Sequence, residues 1–128
     1  MPIHDLNHVN IKANRELLAR VRDFYVDIIG LREGWRPDVP VPGFWLYAGD
    51  KPVLHLMEAA DSGEMAAPTG EPGHVDHIAF TCTGVDAFSK HLETCRTPYC
   101  RRDFPEFDTV QLVVKDPTGM DVELNFSS

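Results

Sequence analysis

The chain has 128 residues, 43% of them apolar and 25% charged, and a formal net charge of −8. This length predicts a single domain, residues 1–128, with a core of its own. The acidic balance argues against a nucleic-acid partner, because phosphate contacts need a surplus of lysine and arginine. No apolar run reaches the roughly 18 residues of a membrane span, and the N-terminal segment does not have the pattern of a secretory signal. We therefore expect a cytoplasmic protein without a membrane partner.

The first half of the chain predicts a strand, a helix and three further strands. Asn14 is a typical N-cap, and Gly30 ends the apolar pattern of period 3.6 that follows it. In chain order, the predicted elements are a strand at 6–12, a helix to about residue 29, a strand at 31–36, and a hairpin of 44–48 and 52–58.

The second half repeats this order after a segment of small, polar, glycine- and proline-bearing residues. The predicted elements are a strand at 74–82, a helix at 85–95, and strands at 97–103, 107–114 and 120–126. The fold class is thus α+β, with two βαβββ modules forming a curled mixed sheet. Module one is 1–58, module two is 74–128, and the linker 59–73 can serve as a lid or as a tether.

The two modules also match residue by residue. LNHVNI at 6–11 corresponds to VDHIAF at 75–80, with an offset of 69 residues. VLHL at 53–56 corresponds to DVEL at 121–124, with an offset of 68. The first pairing aligns His8 with His77, and the second aligns His55 with Glu123.

Three histidines and one carboxylate at repeated positions are residue types that bind metals. Strand alternation places Glu123 on a polar face with Asp121 and Asn125, whereas it gives no preference for His55. We therefore predict one divalent metal ion, of Zn, Ni, Co, Mn or Fe, bound by His8, His77 and Glu123. His55 is either a fourth ligand or a pocket residue that contacts the substrate.

Aromatic residues on the second and third strands are candidates for the wall of a cleft, where they could stack on a planar substrate. The substrate-binding candidates are Trp35, Trp45, Tyr47 and, in the second module, Phe104. Arg101 and Arg102 either meet an anionic substrate or form a solvated strand edge. The three cysteines form no C-x-x-C motif, and we interpret them as reduced thiols.

Four segments carry a resemblance to a known family: LNHVNI, DFYVDIIGL, VDHIAF and the closing DPTGMDVELNF. With them the chain resembles the vicinal oxygen chelate superfamily, which includes glyoxalase I, methylmalonyl-CoA epimerase, fosfomycin-resistance proteins, extradiol dioxygenases and bleomycin-resistance proteins. The resemblance implies paired βαβββ modules around one divalent metal, with ligands at His8, His55, His77 and Glu123. It also implies a small-molecule substrate and a homodimer.

The chain departs from the glyoxalase type at His55, where those members usually carry a second carboxylate. Glu123 is then the remaining candidate for a metal-bound catalytic base. Glu58 lies three residues from His55, so alternation places it on the opposite strand face.

The resemblance implies a glyoxalase-like lyase or isomerase that acts on a small molecule with adjacent oxygens, through a metal-stabilised enolate or oxyanion. One alternative is a ring-cleaving dioxygenase of the extradiol type, which the two histidines and one carboxylate also fit. The other is a metal-free protein that binds a drug or metabolite, as bleomycin-resistance members do.

Overall fold

The computed structural model describes residues 2–59 and 74–127, so the predicted linker, apart from Ala59, lies outside the described residues. These residues form two compact units, one on each side of residues 60–73. Module one contains β1 (Val9–Ala13), α1 (Arg15–Asp23), a π-helical turn (Phe24–Ile29), β2 (Arg32–Gly34), β3 (Gly43–Ala48) and β4 (Lys51–Glu58). Module two contains β5 (His77–Cys82), α2 (Val85–Thr94), β6 (Cys100–Phe104), a 3₁₀ turn (Pro105–Phe107), β7 (Thr109–Lys115) and β8 (Asp121–Ser127).

Each module is an open, four-stranded mixed sheet with one α-helix, which confirms the predicted α+β class. The strand orders are β1-β4-β3-β2 and β5-β8-β7-β6, so the two sheets have the same topology. In each, the first strand runs parallel to the last, and the other neighbours are antiparallel.

The strand register reproduces the sequence repeat. Asn10 is paired with His55 across β1 and β4, and Ala79 is paired with Glu123 across β5 and β8. These partners are related by the same offsets, 69 and 68 residues, that align the two halves of the sequence. His8 and His77 therefore lie two residues before equivalent positions of the register, Asn10 and Ala79.

Helix α1 begins as predicted and ends differently. The side chain of Asn14 accepts a hydrogen bond from the backbone N–H of Leu17 at 2.9 Å, which caps the first turn. The α-helix stops at Asp23 and continues as the π-helical turn, which ends at Gly30 with a φ of 100°. The wider turn keeps Phe24, Tyr25 and Ile29 all buried. Glycine is the residue that reaches this φ without strain.

Strands β1 and β5 begin later than the alternating pattern predicted. Their first paired residues are Val9 and His77, whereas the predictions began at residues 6 and 74. Leu6 and Val75 lie before the first backbone pairs and are exposed. His8 is consequently one residue outside β1, while its counterpart His77 is inside β5.

One face of each sheet forms the core. In module one, Leu46, Leu54 and Leu56 are buried on the sheet, and α1 buries its own leucines and Val21. In module two, the buried sheet residues are Leu112, Val114, Val122, Leu124 and Phe126, with Leu92 buried on α2. Burying each such side chain stabilises the fold by roughly 1.5–3 kcal/mol. The opposite face carries His55 and Trp45 in module one, and His77 and Glu123 in module two. None of the described helices is long and apolar enough to cross a bilayer.

The turn between β7 and β8 is organised by one buried carboxylate. Asp116 is 4% exposed, and its Oδ1 accepts hydrogen bonds from Thr118 N, Thr118 Oγ1 and Met120 N at 2.8, 2.6 and 3.1 Å. The Asp-Pro-Thr-Gly sequence is typical of such a turn. It sets the start of β8, and therefore the position of Glu123.

Candidate active site

Module two brings two of the predicted site residues together. His77 Nε2 lies 3.2 Å from Glu123 Oε2, across the neighbouring strands β5 and β8. The register pairs His77 with Asp121, so Glu123 is its diagonal neighbour, two residues further along β8. The imidazole is 42% exposed and the carboxylate 14% exposed. A carboxylate oxygen facing a ring nitrogen at this distance requires a proton or another cation between them.

Gln111, on β7, is a partner that the sequence did not reveal. Its Nε2 donates a hydrogen bond to Glu123 Oε1 at 3.0 Å. Gln111 is paired in register with Asn125, so it projects from the same face as Glu123. Alternation along β7 would have placed Gln111 on the polar face, but it would not have selected its partner.

Asp76 holds the other nitrogen of His77. The Nδ1–H group donates to Asp76 Oδ2 at 2.9 Å. The hydrogen bond to Asp76 and the nearby charge of Glu123 together raise the pKa of His77 above its ordinary value of 6.5. With Nδ1 committed to Asp76, Nε2 is the nitrogen that remains for a ligand.

The equivalent residue of module one does the same for His8. Its Nδ1–H donates to Asn7 Oδ1 at 2.8 Å. Asn7 and Asp76 occupy the same position of the sequence repeat, directly before each histidine. The shared Asn or Asp at this position was visible in the sequence, although its function as the partner of Nδ1 was not.

In module one the repeated pair forms an aromatic stack. The rings of His8 and His55 lie with centroids 3.7 Å apart and planes inclined by 12°. Trp45, the register partner of His55 on β3, covers the other side of His55 at 4.0 Å and 11°. Trp35 meets Trp45 edge-on at 6.0 Å and 90°. The predicted Trp35 and Trp45 are thus brought into one row with both histidines.

His55 is enclosed by its neighbours. Its Nε2 is buried and has no hydrogen-bond partner among the described residues. Burial and then the proximity of His8 lower the pKa of His55 below 6.5. The ring is therefore neutral over most of the physiological range, and its buried nitrogen is available as an acceptor or a ligand.

Tyr47 supports Trp35. The Tyr47 hydroxyl donates a hydrogen bond to the backbone carbonyl of Trp35 at 2.6 Å, and the guanidinium of Arg32 lies 4.9 Å from the centre of the Tyr47 ring. Trp35 itself is 71% exposed. Tyr47 thus holds the segment that presents Trp35.

Phe104 lies away from the His77–Glu123 pair. It is paired with Thr109, and Thr109 with Ser127, four residues beyond Glu123 on β8. That separation is roughly 13 Å along the strand. Phe104 lines a cavity of about 260 Å³ at the end of the module-two sheet that is farther from the His77–Glu123 pair.

Glu58 faces away from His55, as alternation predicted. Its carboxylate forms an ion pair with Arg15 of α1 at 3.3 Å, on the helix side of the sheet. Within each module, the described residues include no group of three or more His, Cys, Asp or Glu placed to hold a metal ion.

The donor set nevertheless fits a divalent ion in two respects. His77 and Glu123 place an imidazole nitrogen and a carboxylate oxygen side by side, and a carboxylate or amide oxygen accepts from Nδ1 of both repeated histidines. His55 fits less well as a co-ligand of His8. The lone pairs of ring nitrogens lie in the ring planes, and a single ion cannot lie in two stacked, nearly parallel planes.

Two duplicated βαβββ modules, each with a helix on one sheet face and repeated histidine positions at the other, define the class of this protein. The family model described as the Glyoxalase/Bleomycin resistance protein/Dioxygenase superfamily matches residues 5–124, and the chain belongs to that superfamily. No curated protein sequence matches the chain.

Solved structures show the same fold. A glyoxalase family protein from Bacillus anthracis is 22% identical with a TM-score of 0.76, covering 100% of this chain and 98% of that chain. Lactoylglutathione lyase from Agrobacterium tumefaciens is 21% identical with a TM-score of 0.69, covering 98% and 96%. The genomically encoded fosfomycin resistance protein from Listeria monocytogenes is 15% identical with a TM-score of 0.70, covering 99% and 96%. At these identities the likeness concerns the fold.

Proposed function

We propose that the chain is a small enzyme that depends on one divalent metal ion, a glyoxalase-like lyase or isomerase acting on a small molecule with adjacent oxygens. The observation that carries the proposal is the contact between His77 Nε2 and Glu123 Oε2, together with the hydrogen bond from His77 Nδ1 to Asp76. A proton fills the gap between Nε2 and Oε2 in the metal-free protein, and a metal ion would take its place.

The ligands we assign are His77, Glu123 and His8, with Zn, Ni, Co, Mn or Fe as candidate ions. His8 is included because Asn7 holds its Nδ1, as Asp76 does for His77, and this leaves Nε2 for the ion. The bound metal would polarise the two substrate oxygens as a Lewis acid. We assign His55 to the pocket, since it lies flat against His8.

Glu123 is the group to which we assign proton transfer. Gln111 donates to Oε1 and His77 Nε2 faces one lone pair of Oε2, so the remaining lone pairs of the carboxylate are available to take a proton from the carbon next to a substrate oxygen. The carboxylate is mostly buried, so few water molecules reach it and compete with the substrate for its lone pairs. Gln111 and His77 together fix the orientation of the carboxylate before the substrate arrives.

The aromatic row supplies the substrate wall. Trp45 is half-buried against His55, and Trp35 presents an exposed indole held in place through Tyr47. Flat apolar surfaces of this kind bind planar parts of a ligand. We propose Trp35 and Trp45 as the substrate contacts and Tyr47 as their support.

We further expect a homodimer, to be checked by sedimentation of the purified chain.

Elemental analysis of the untagged protein tests the proposal. About one Ni, Zn, Co or Mn per chain in the wild type, lost in His77→Ala, supports it. His74→Ala is the matched control, because His74 is exposed, precedes β5 and is outside the pair. Both variants are compared by circular dichroism, so that loss of metal is not confused with loss of fold.

Two other results would replace the proposal. One Fe per chain, with oxygen uptake on adding catechols, would identify a ring-cleaving dioxygenase. A protein that takes up none of these ions, even after incubation with each, would leave a metal-free binding protein. The His8–His55–Trp45 stack favours that second candidate, because it forms a flat aromatic surface without needing a metal.

A further inference from the structure

Arg102 lies on the same face of the module-two sheet as the His77–Glu123 pair. The register places Arg102 opposite Gln111 on β7, and Gln111 opposite Asn125 on β8. Register partners share a face of the sheet, and so do alternate residues of one strand. Glu123 is two residues before Asn125 and therefore projects from the face that carries Arg102.

Arg102 has no partner for its charge among the described residues, in contrast to the neighbouring cations. Arg101, on the opposite face, forms an ion pair with Asp103 at 3.1 Å. Lys115 forms one with Asp121 at 2.7 Å. The chain as a whole carries a net charge of −8, which repels anions, so a cation without an acidic partner is a favourable place for an anion to bind.

An open cavity of about 460 Å³ lies beside Arg102, and its lining includes Asp121, the register partner of His77. Tyr99 and Arg102 line its β6 side, and Val113 and Asp121 line its other side. Val113 is the register partner of Glu123. The volume is within the range of pockets that bind small organic molecules.

The spacing between Arg102 and Glu123 suits a short ligand. Two strand spacings and a two-residue step along β8 separate their Cα atoms by roughly 12 Å. The long arginine side chain spans much of this distance. A molecule with a few carbon atoms between its reacting oxygens and an anionic end can therefore contact both groups.

We infer that Arg102 binds the anionic end of the substrate, and that the substrate class is a small carboxylate, phosphate or phosphonate with adjacent oxygens. The inference rests on the proposed function for the reacting end. A guanidinium forms two parallel hydrogen bonds with either kind of anion, which gives it both affinity and orientation. Arg102 thus decides which molecules with adjacent oxygens are accepted.

The test is a titration of the full chain with inorganic phosphate and, separately, with acetate. NMR signals of the backbone and arginine N–H groups report binding, in a buffer that contains no other small anion able to bind. We expect saturable binding that shifts the Arg102 side-chain signal. R102Q should raise the Kd about tenfold or more, because it removes a charge-assisted hydrogen bond, while R102K should recover part of the affinity. The anion that binds more tightly identifies the preferred end of the substrate.

R101Q is the matched control, since it removes an adjacent arginine from the opposite face, and its Kd should stay within about twofold of the wild type. The inference is overturned if neither anion binds saturably, or if R101Q weakens binding as much as R102Q. The titrations are made on chelator-treated protein. Failure of the metal proposal therefore leaves this result interpretable, and failure here leaves the metal assay unaffected.

Discussion

The ring of His8 lies on the ring of His55 with centroids 3.7 Å apart, at the position where the other module sets His77 against Glu123. Both contacts arise from the same diagonal relationship between the first and last strands of a module. A stacked pair excludes water and charge, whereas an imidazole–carboxylate pair attracts a proton or a cation. The same strand pairing thus produces a stack of aromatic rings in module one and an imidazole–carboxylate pair in module two.

Removing the carboxylate behind His77 should weaken metal binding. Asp76→Ala leaves Nε2 in place but frees Nδ1, so the ring loses its fixed orientation, and we expect an affinity loss of about 10- to 100-fold. Competition with a chromophoric chelator measures it. Asp86→Ala, which removes an exposed carboxylate in the first turn of α2, is the control and should bind as the wild type does. Equal affinity in the two variants would refute a positioning role for Asp76.

The pKa values of His55 and His77 should be shifted in opposite directions in the metal-free protein. The pKa of His77 is raised above 6.5 by Asp76 and Glu123, and that of His55 is lowered below 6.5 by burial and by His8. An NMR titration of the ring protons resolves the two values. If His55 takes up its proton before His77 as the pH falls, the charge environments described for the two rings are wrong.

The same shifts predict how stability depends on pH. The folded state holds the His77 proton more tightly than the unfolded chain does, so this stabilisation is complete below the unfolded pKa and is lost as the pH rises through the raised folded pKa. For His55 the sign is reversed: its contribution is present above the unfolded pKa and is lost as the pH falls through the lowered folded pKa. Tm profiles of H77Q and H55Q against the wild type test the two slopes separately.

Trp45 and Trp35 should differ in their contribution to stability. Trp45→Ala removes a half-buried ring that stacks on His55, and we expect the free energy of unfolding to fall by about 2–3 kcal/mol. Trp35→Ala removes a ring that is 71% exposed and should cost less than about 1 kcal/mol. Urea unfolding gives both values. Similar losses for the two variants would contradict the burial order.

Asp116 should be among the most sensitive polar positions of module two. Asp116→Ala leaves the N–H groups of Thr118 and Met120 without their acceptor in a half-buried turn, at an expected cost of about 3 kcal/mol. Asp103→Ala breaks only an exposed ion pair with Arg101 and should cost less than about 1 kcal/mol. Denaturant unfolding of the two variants provides the comparison.

The sequence predicted what depends on local chemistry and on periodicity. Asn14 and Gly30 bounded the first helical segment, and the repeat predicted the same order of elements in the two modules. Alternation also placed Glu123 on the polar face of β8. Each of these depends only on the residue itself and on its position in a periodic pattern.

Side-chain contacts between strands could not be predicted from the sequence in the same way. Gln111 joins Glu123 through pairing across β7 and β8, and His55 stacks on His8 through side-chain rotamers, neither of which a linear pattern encodes. The π-helical turn was likewise missed, because its apolar spacing is close to that of an α-helix. The separation of Phe104 from the His77–Glu123 pair also follows from register rather than from composition.

The shared strand register of the two modules also bears on how such a chain can evolve. Asn10–His55 and Ala79–Glu123 are equivalent backbone pairs, and the hydrogen bonds that form them do not depend on the side chains they carry. After duplication, one copy could exchange a carboxylate for an imidazole, or the reverse, without disturbing the sheet. A single codon change at position 55 or 123 therefore alters the chemistry of one half while the other half keeps its own, so a duplicated scaffold can diversify its reactions one copy at a time.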